Sequence, residues 1–356
     1  MPQPIILAID TSCDETAAAV TQGQVVLSNV IASQAQLHQQ YGGVFPTVAK
    51  QAHKENLEPA VKEALKRAGK KWHQIRAIAV TRGPGLAPAL EVGLLTAKTL
   101  GRRYNKPVVP INHIEGHILS VLAQPQRRTG KPSTIKPRLP ALAVVVSGGH
   151  TEFVLVEGIG KYQRLGATLD DAAGECLDKV GRLLELGYPA GPVVEQLAKR
   201  GDKTAFAFPL PMTDVKTFDM SFSGLKTHSK RLIAQLKKDN KLNKHTIADF
   251  CASLQEGVFN HIIYKLEKLL DQVEIQTEVK ELWLGGGVAA NLELRGKLRA
   301  IARERQLEFR TPYTKKLCGD NAAMIGIVGG YLVEKNTKTP PKNLDRKPKW
   351  QVDSQT

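Results

Sequence analysis

The chain opens on Ile5-Ile6-Leu7-Ala8-Ile9, an apolar run stopped by Asp10. So short a run, bounded by polar turn residues, predicts a buried strand. Strand-like runs follow at 17–20 and 25–31, then a helical stretch at about 48–67, a strand at 75–80, a helix at 89–104, a short strand at 108–111 and a helix from about Ile114. Residues 124–140 carry Pro125, Pro132, Pro137 and Pro140 among basic residues, which predicts an irregular surface connection. The order then begins again, with a buried strand at 141–146, strand-like segments at 153–156 and 162–165, helices, a strand at 282–284 and helical patterns at 292–305 and 322–334. Phe250, Leu254, Val258, Ile262, Leu266 and Leu269 recur at spacings of three and four, an apolar stripe that reads as core.

Each half thus starts with three strands and continues as alternating helix and strand. The pattern predicts an α/β protein with duplicated βββαβα lobes and a central cleft. Lobe I is expected over 1–112 plus about 320–336, lobe II over 113–319, and a basic, disordered tail over 337–356. Open α/β sheets bind ligands beyond the carboxyl ends of their strands. The polar loops after Ile9, Val146 and Leu284 lie at such ends.

Composition adds a partner class. The chain has 356 residues, 42% of them hydrophobic, enough for two lobes with real cores. Its formal net charge of +16 favours an anionic partner, nucleic acid first. The four cysteines, Cys13, Cys176, Cys251 and Cys318, form no CxxC, which argues against a disulfide framework or a cysteine zinc site and suits a reducing cytosol. No apolar run approaches the ~18 residues of a membrane span, and no secretory leader is evident. A soluble, cytoplasmic protein is expected.

Several constellations carry chemistry. His113 and His117, in Asn112-His113-Ile114-Glu115-Gly116-His117, share a helix face and can reach one ion. Glu115 does not stand directly after the first histidine as a zincin base would. A third ligand is needed, and Asp320 or Cys318 are candidates, although Asp320 also suits a helix cap. Ser147-Gly148-Gly149-His150-Thr151 follows a buried strand and can form an anion nest, or a plain hairpin turn. Asp10 to Thr16 make the matching turn of the other lobe. Gly285-Gly286-Gly287-Val288-Ala289-Ala290-Asn291 joins strand to helix without a P-loop lysine, leaving room for a flat group such as adenine. Asp170 and Asp171 suit a helix start, whereas Asp178, two turns in, is not explained by the helix dipole. Phe222-Ser223-Gly224-Leu225-Lys226-Thr227 is a basic helix start that can hold phosphate or simply face solvent.

HIEGH, VVSGGHTE, DDAAGECLDKVGRLL, FSGLKT, GGGVAAN and CGDNAAMI occur here in this order. Together they closely resemble the tRNA N6-adenosine threonylcarbamoyltransferase family (TsaD), over nearly the whole chain. The resemblance implies the two-lobed fold of actin, sugar kinases and Hsp70 chaperones. It also implies transfer of the threonylcarbamoyl group from threonylcarbamoyl-adenylate to N6 of the adenosine next to the anticodon, position 37, in tRNAs reading codons that begin with A, with release of AMP.

Carried over residue by residue, the metal ligands would be His113, His117 and Asp320, holding Fe(2+) or alternatively Zn(2+). The adenylate would contact Val145, Val146, Ser147, Gly148, Gly149, Asp178, Gly191, Glu195 and Asn291. Asp14 or His150 would take the amine proton. The implied partners are tRNA, a paralogous TsaB-type dimerisation protein and a TsaE-type small ATPase. Two positions depart from the family pattern: Ala190 stands where glycine is usual, and Glu195 where aspartate is common. Competing readings are a metallopeptidase, an older label of this family, a small-molecule kinase of the same fold, and a tRNA-binding scaffold without activity. Basic stretches at 98–106, 127–138 and 226–244 are the expected tRNA contacts.

Overall fold

The computed structural model describes residues 3–126, 134–272, 278–335 and 344–354. The chain divides into two compact units, one of residues 1–137 and 311–356 and the other of 138–310. Both boundaries therefore lie away from the expected 112/113 and 319/320.

Unit 1 is built on β1 (Ile5–Asp10), β2 (Glu15–Gln22), β3 (Val25–Ser33), β4 (Ala77–Gly83), β5 (Val108–Asn112) and the short β6 (Gln124–Pro125), in the order β5-β4-β1-β2-β3-β6. The first three strands pair antiparallel, while β4 and β5 run parallel to β1. Ile6, Leu7, Ala8 and Ile9 are wholly buried, as a central strand covered on both faces requires. Helices α1 (Ala35–Gln39), α2 (Pro46–Ala68), α3 (Ala87–Tyr104) and α4 (His113–Leu119) belong to the same unit.

Unit 2 repeats the plan with β7 (Ala141–Val146), β8 (Thr151–Gly158), β9 (Lys161–Ala167), β10 (Glu281–Gly285) and β11 (Glu308–Arg310), in the order β11-β10-β7-β8-β9. Its described helices are α5 (Ala173–Leu183), α6 (Gly191–Ala198), α7 (Ser223–Lys238), α8 (Lys244–Leu270) and α9 (Leu292–Glu304). The expected duplication is thus a duplication of sheet topology. At the base of this sheet the buried Glu281 carboxylate accepts the Arg138 N–H at 2.7 Å, Arg310 Nε at 2.5 Å and Trp283 Nε1 at 2.7 Å. Arg310 and the other hydrogen bonds hold Glu281 below the usual carboxylate range, against the upward push of burial.

Helix α10 (Ala322–Glu334) returns the chain to unit 1 and packs across β1, β2 and β4. Small residues make this approach close: a Cβ on Gly326 would stand 2.6 Å from Thr21 Oγ1, and one on Gly329 2.6 Å from the Ala79 Cβ.

Two expectations need correction. The connection at 124–140 is not wholly irregular, because Gln124–Pro125 pairs with β3; residues 127–133 lie outside the described residues. The expected disordered tail falls partly on 336–343 and 355–356, also outside them. Its described part, 344–354, is packed, with Leu344, Trp350 and Val352 buried. Three well-spaced apolar anchors outweigh the proline and lysine content on which disorder was expected.

Candidate functional site

The edge strand β5 ends at Asn112, whose side chain caps α4 by accepting the Ile114 N–H at 2.9 Å. This starts the helix at His113 and puts His117 one turn on, with the two rings edge to face at 4.6 Å. Both Nε2 atoms lie 3.3 Å from the same oxygen of Asp320. The ligand atoms of the three residues all fall within 4.8 Å of one another, so the group could bind a metal ion. Capping does not account for Asp320, because Asn321 caps α10 through the Met324 N–H. Cys318 is no part of the group; its thiol points to the Thr314 carbonyl at 3.7 Å.

The donor set fits a divalent ion. His113 Nδ1 and both ring nitrogens of His117 are buried without a hydrogen-bond partner, so the 3.3 Å approach of His117 to Asp320 lacks hydrogen-bond geometry. Two imidazoles and one carboxylate with open positions suit non-haem Fe(II) and also Zn(II). Without an ion, burial pushes His113 down, but Asp320 and Asp10 outweigh it and raise its pKa to about 10. Burial lowers His117. Burial opposes the ionised form of Asp320, yet His113 holds it well below the usual carboxylate range.

The turn after β1 supports the group. Asp10 Oδ1 accepts the Ser12 N–H at 3.2 Å, and Ser12 Oγ donates to Asp320 Oδ2 at 3.4 Å. Burial, then Asp320, raises the pKa of Asp14. Burial also raises the Cys13 thiol well above its usual value, which removes it as a ready nucleophile. Behind this turn His53 joins Thr16 Oγ1 (2.8 Å) to the Cys13 carbonyl (2.9 Å), and Gln34 links it to His38.

In unit 2 a chain of contacts joins four expected adenylate residues. Asp178 Oδ1 accepts the Gly191 N–H at 2.6 Å where α6 begins. Glu195, on α6, accepts the Leu292 N–H at 3.2 Å, next to Asn291. Asn291 caps α9 through the Glu293 N–H and donates to Gln255 Oε1 at 2.7 Å. Val145 and Val146 are buried strand residues with only backbone at the turn.

The Ser147 turn is open in one sense and closed in another. A Cβ on Gly148 or Gly149 would meet nothing within 4 Å, so a ligand can approach the backbone. The N–H groups of Gly149 and His150, however, donate to Ser147 Oγ at 3.3 and 3.0 Å. The FSGLKT helix start is likewise occupied: Asp170 accepts the Phe222 and Ser223 N–H groups, and Lys226 pairs with Asp171. Gly286, at φ +92° and with a would-be Cβ 2.3 Å from the Val146 carbonyl oxygen, is required by backbone packing.

Comparison with known proteins decides the family. The model of the TsaD family, tRNA N6-adenosine threonylcarbamoyltransferase, matches residues 25–327. Proteins of that name from Trichlorobacter lovleyi and Nostoc punctiforme are each 45% identical, over 332 and 326 residues, covering 92% and 90% of this chain and 92% and 89% of theirs. The chain belongs to this family. Among solved structures, T. kodakarensis HypF is similar at TM-score 0.59 and 13% identity, covering 94% of this chain and 48% of that one. The (R)-2-hydroxyglutaryl-CoA dehydratase component A of Acidaminococcus fermentans is similar at 0.53 and 15%, covering 94% and 100%. At such identities they show the fold alone, the expected class of actin, sugar kinases and Hsp70.

Of the TsaD-family positions expected here, Asp320 joins the histidines, and Asp178 joins Gly191. Reading the sequence missed Asp10 as the carboxylate beside His113, and Gln255 as the partner of Asn291. Gln255 is one of four buried polar residues of α8, with Ser253, His261 and Lys265, so the sequence offered no signal that singled it out. Among the described residues, no helix is long and apolar enough to cross a membrane.

Proposed function

We propose that the chain performs its family's reaction: it is a tRNA N6-adenosine threonylcarbamoyltransferase, and tRNA is its substrate. The observation that carries this is the convergence of His113 and His117 on one Asp320 oxygen in a chain matching the family over 25–327. In finer detail, the donor is threonylcarbamoyl-adenylate and the acceptor the adenosine at position 37, beside the anticodon.

The N6 lone pair attacks the carbamoyl carbon, the bond from that carbon to the phosphate oxygen breaks, and AMP leaves with the electron pair. An exocyclic amine is a weak nucleophile, and the carbonyl needs activation. When bound, the metal, Fe(2+) or alternatively Zn(2+), supplies Lewis acidity at the threonylcarbamoyl end. His113, His117 and Asp320 would hold it. The turn from Ser147 to Gly149 takes the adenylate phosphate, the Ser147 hydroxyl turning aside as the Gly149 and His150 N–H groups engage it. Asp178 keeps Gly191 in place, and Glu195 and Asn291 form the nucleoside end. The amine proton passes to Asp14 or His150. The raised proton affinity of Asp14 favours it. A TsaB-type dimerisation partner, a TsaE-type ATPase and a cytoplasmic setting complete the reading.

No observation favours the peptidase reading, since Glu115 does not directly follow His113 as a zincin base would. The test is mass spectrometry of tRNA nucleosides after incubation with threonylcarbamoyl-adenylate, the metal-loaded chain and the partner proteins. Threonylcarbamoyladenosine is expected. Unmodified adenosine with all components folded and loaded would overturn the assignment. Unimpaired single-turnover transfer by Asp14→Ala would remove Asp14 as the proton acceptor.

A further inference from the structure

Residues 344–354 lie beyond the stretch matched by the family model, and they pack on the supports of the metal group. Leu344 sits in the unit 1 core with Leu57, Ala60 and Val92. From there the segment follows the loop after β4. Arg82 Nε donates to the Asp345 carbonyl at 2.6 Å, the Lys347 N–H to the Arg82 carbonyl at 2.8 Å, and the Gly85 N–H to the Pro348 carbonyl at 3.1 Å. A Cβ on Gly83 would stand 1.8 Å from the Lys347 carbonyl oxygen, so the two backbones touch.

Two paths lead from this segment to the triad. On the first, the Trp350 carbonyl accepts Asn112 Nδ2 at 3.3 Å, while Asn112 Oδ1 caps α4. That amide cannot turn without losing one of these bonds, so the first turn of the histidine helix is tied to Trp350. On the second, the loop after β4 holds the Ser12 turn. The Leu86 N–H donates to the Ser12 carbonyl at 2.7 Å, and a Cβ on Gly85 would stand 2.5 Å from that oxygen. Ser12 in turn donates to Asp320. Both paths start at 344–354, one ending at His113 and the other at Asp320.

We propose that residues 344–354 are a strap that positions the metal triad, with Trp350 and Asn112 as its positioning residues. The inference rests on the metal reading given above. The strap touches none of the ligand atoms. It acts by fixing the helix and the turn that carry or contact them, as outer supports of metal ligands generally do.

Zinc affinity, measured by competition with a chromogenic chelator, tests this. The full chain is compared with a chain ended after residue 343, Gly83→Ala and Asn112→Ser. The shortened chain and Gly83→Ala, whose methyl group displaces Lys347, are expected to bind zinc about tenfold more weakly or worse. Asn112→Ser still caps α4 but is too short to reach Trp350, and it should weaken zinc in the same direction.

A merely structural strap would lower the melting temperature of the metal-free protein and leave zinc affinity unchanged; that result overturns the proposal. If the shortened chain does not fold, unchanged affinity in Gly83→Ala and Asn112→Ser overturns it equally. A full chain that binds no zinc overturns the metal reading, and the strap with it. Equal binding by full and altered chains removes the strap alone.

Discussion

Asp10 Oδ2 lies 3.7 Å from His113 Nδ1, the ring nitrogen that does not face Asp320. The aspartate is wholly buried, and its other oxygen takes the Ser12 N–H. At that distance, beyond hydrogen-bond range, the carboxylate acts through its charge: it favours a proton on Nδ1 and leaves Nε2 to a metal. Asp10→Asn is therefore expected to weaken metal binding about tenfold or more, with the fold kept, as read by chelator competition and circular dichroism. Unchanged affinity would deny Asp10 this role.

The bond from Gly191 N–H to Asp178 has a consequence for the proposed nucleotide end. Hydrogen bonds to a charged partner are worth about 1.5–3 kcal/mol, and this one holds the start of α6, which also carries Glu195. Asp178→Ala should lower the affinity for AMP, used as a probe in calorimetry, by about tenfold. Zinc affinity should not move, because Asp178 belongs to the other unit from the triad. An unchanged AMP affinity would place the adenylate elsewhere.

His261 gives a pH dependence that is independent of metal. It is fully buried on α8, accepts the Ser221 N–H at 3.2 Å, and burial lowers its pKa to about 4. The folded state refuses a proton that the unfolded state takes near pH 6.5. The contribution of His261 is thus complete above that pH and is lost as pH falls from 6.5 towards 4. The melting temperature of the parent chain should drop more steeply over this window than that of His261→Gln. Parallel curves would contradict the assignment.

The exposed basic residues of α7 and the turn after it, Lys230, Arg231, Lys238 and Lys241, test the tRNA surface. Changing them to Glu is expected to weaken tRNA binding and to flatten its dependence on salt, because fewer counterions are released. AMP and zinc affinities should be preserved. Full tRNA affinity in the reversed protein would move the contact to another basic stretch, such as 98–106.

How far the sequence could be read depended on the range of the forces involved. The strands at 141–146 and 282–284 and the stripe on α8 follow from local apolar pattern, and the structure has them within a few residues. His113 and His117 were visible because their spacing is a property of one helix. Asp320, some two hundred positions away, could be proposed but not separated from a cap until Asn321 was seen to hold that place. The Ser147 turn was visible but its closure was not, because the Ser147 hydroxyl occupies amides that were expected to be open. Trp350 escaped because lysines and prolines around it mask a single large anchor.

Glu281 joins residues at both ends of unit 2, binding the Arg138 amide and the Arg310 guanidinium. The stretch from 138 to 310 is thereby stapled at its own two termini, like a closed clasp. It has the form of a portable module, one whose ends already meet and whose removal or transplantation would need only a short splice. Glu308 doubles the clasp, because it also pairs with both arginines, so neutralising Glu281 alone would loosen the two ends without freeing them.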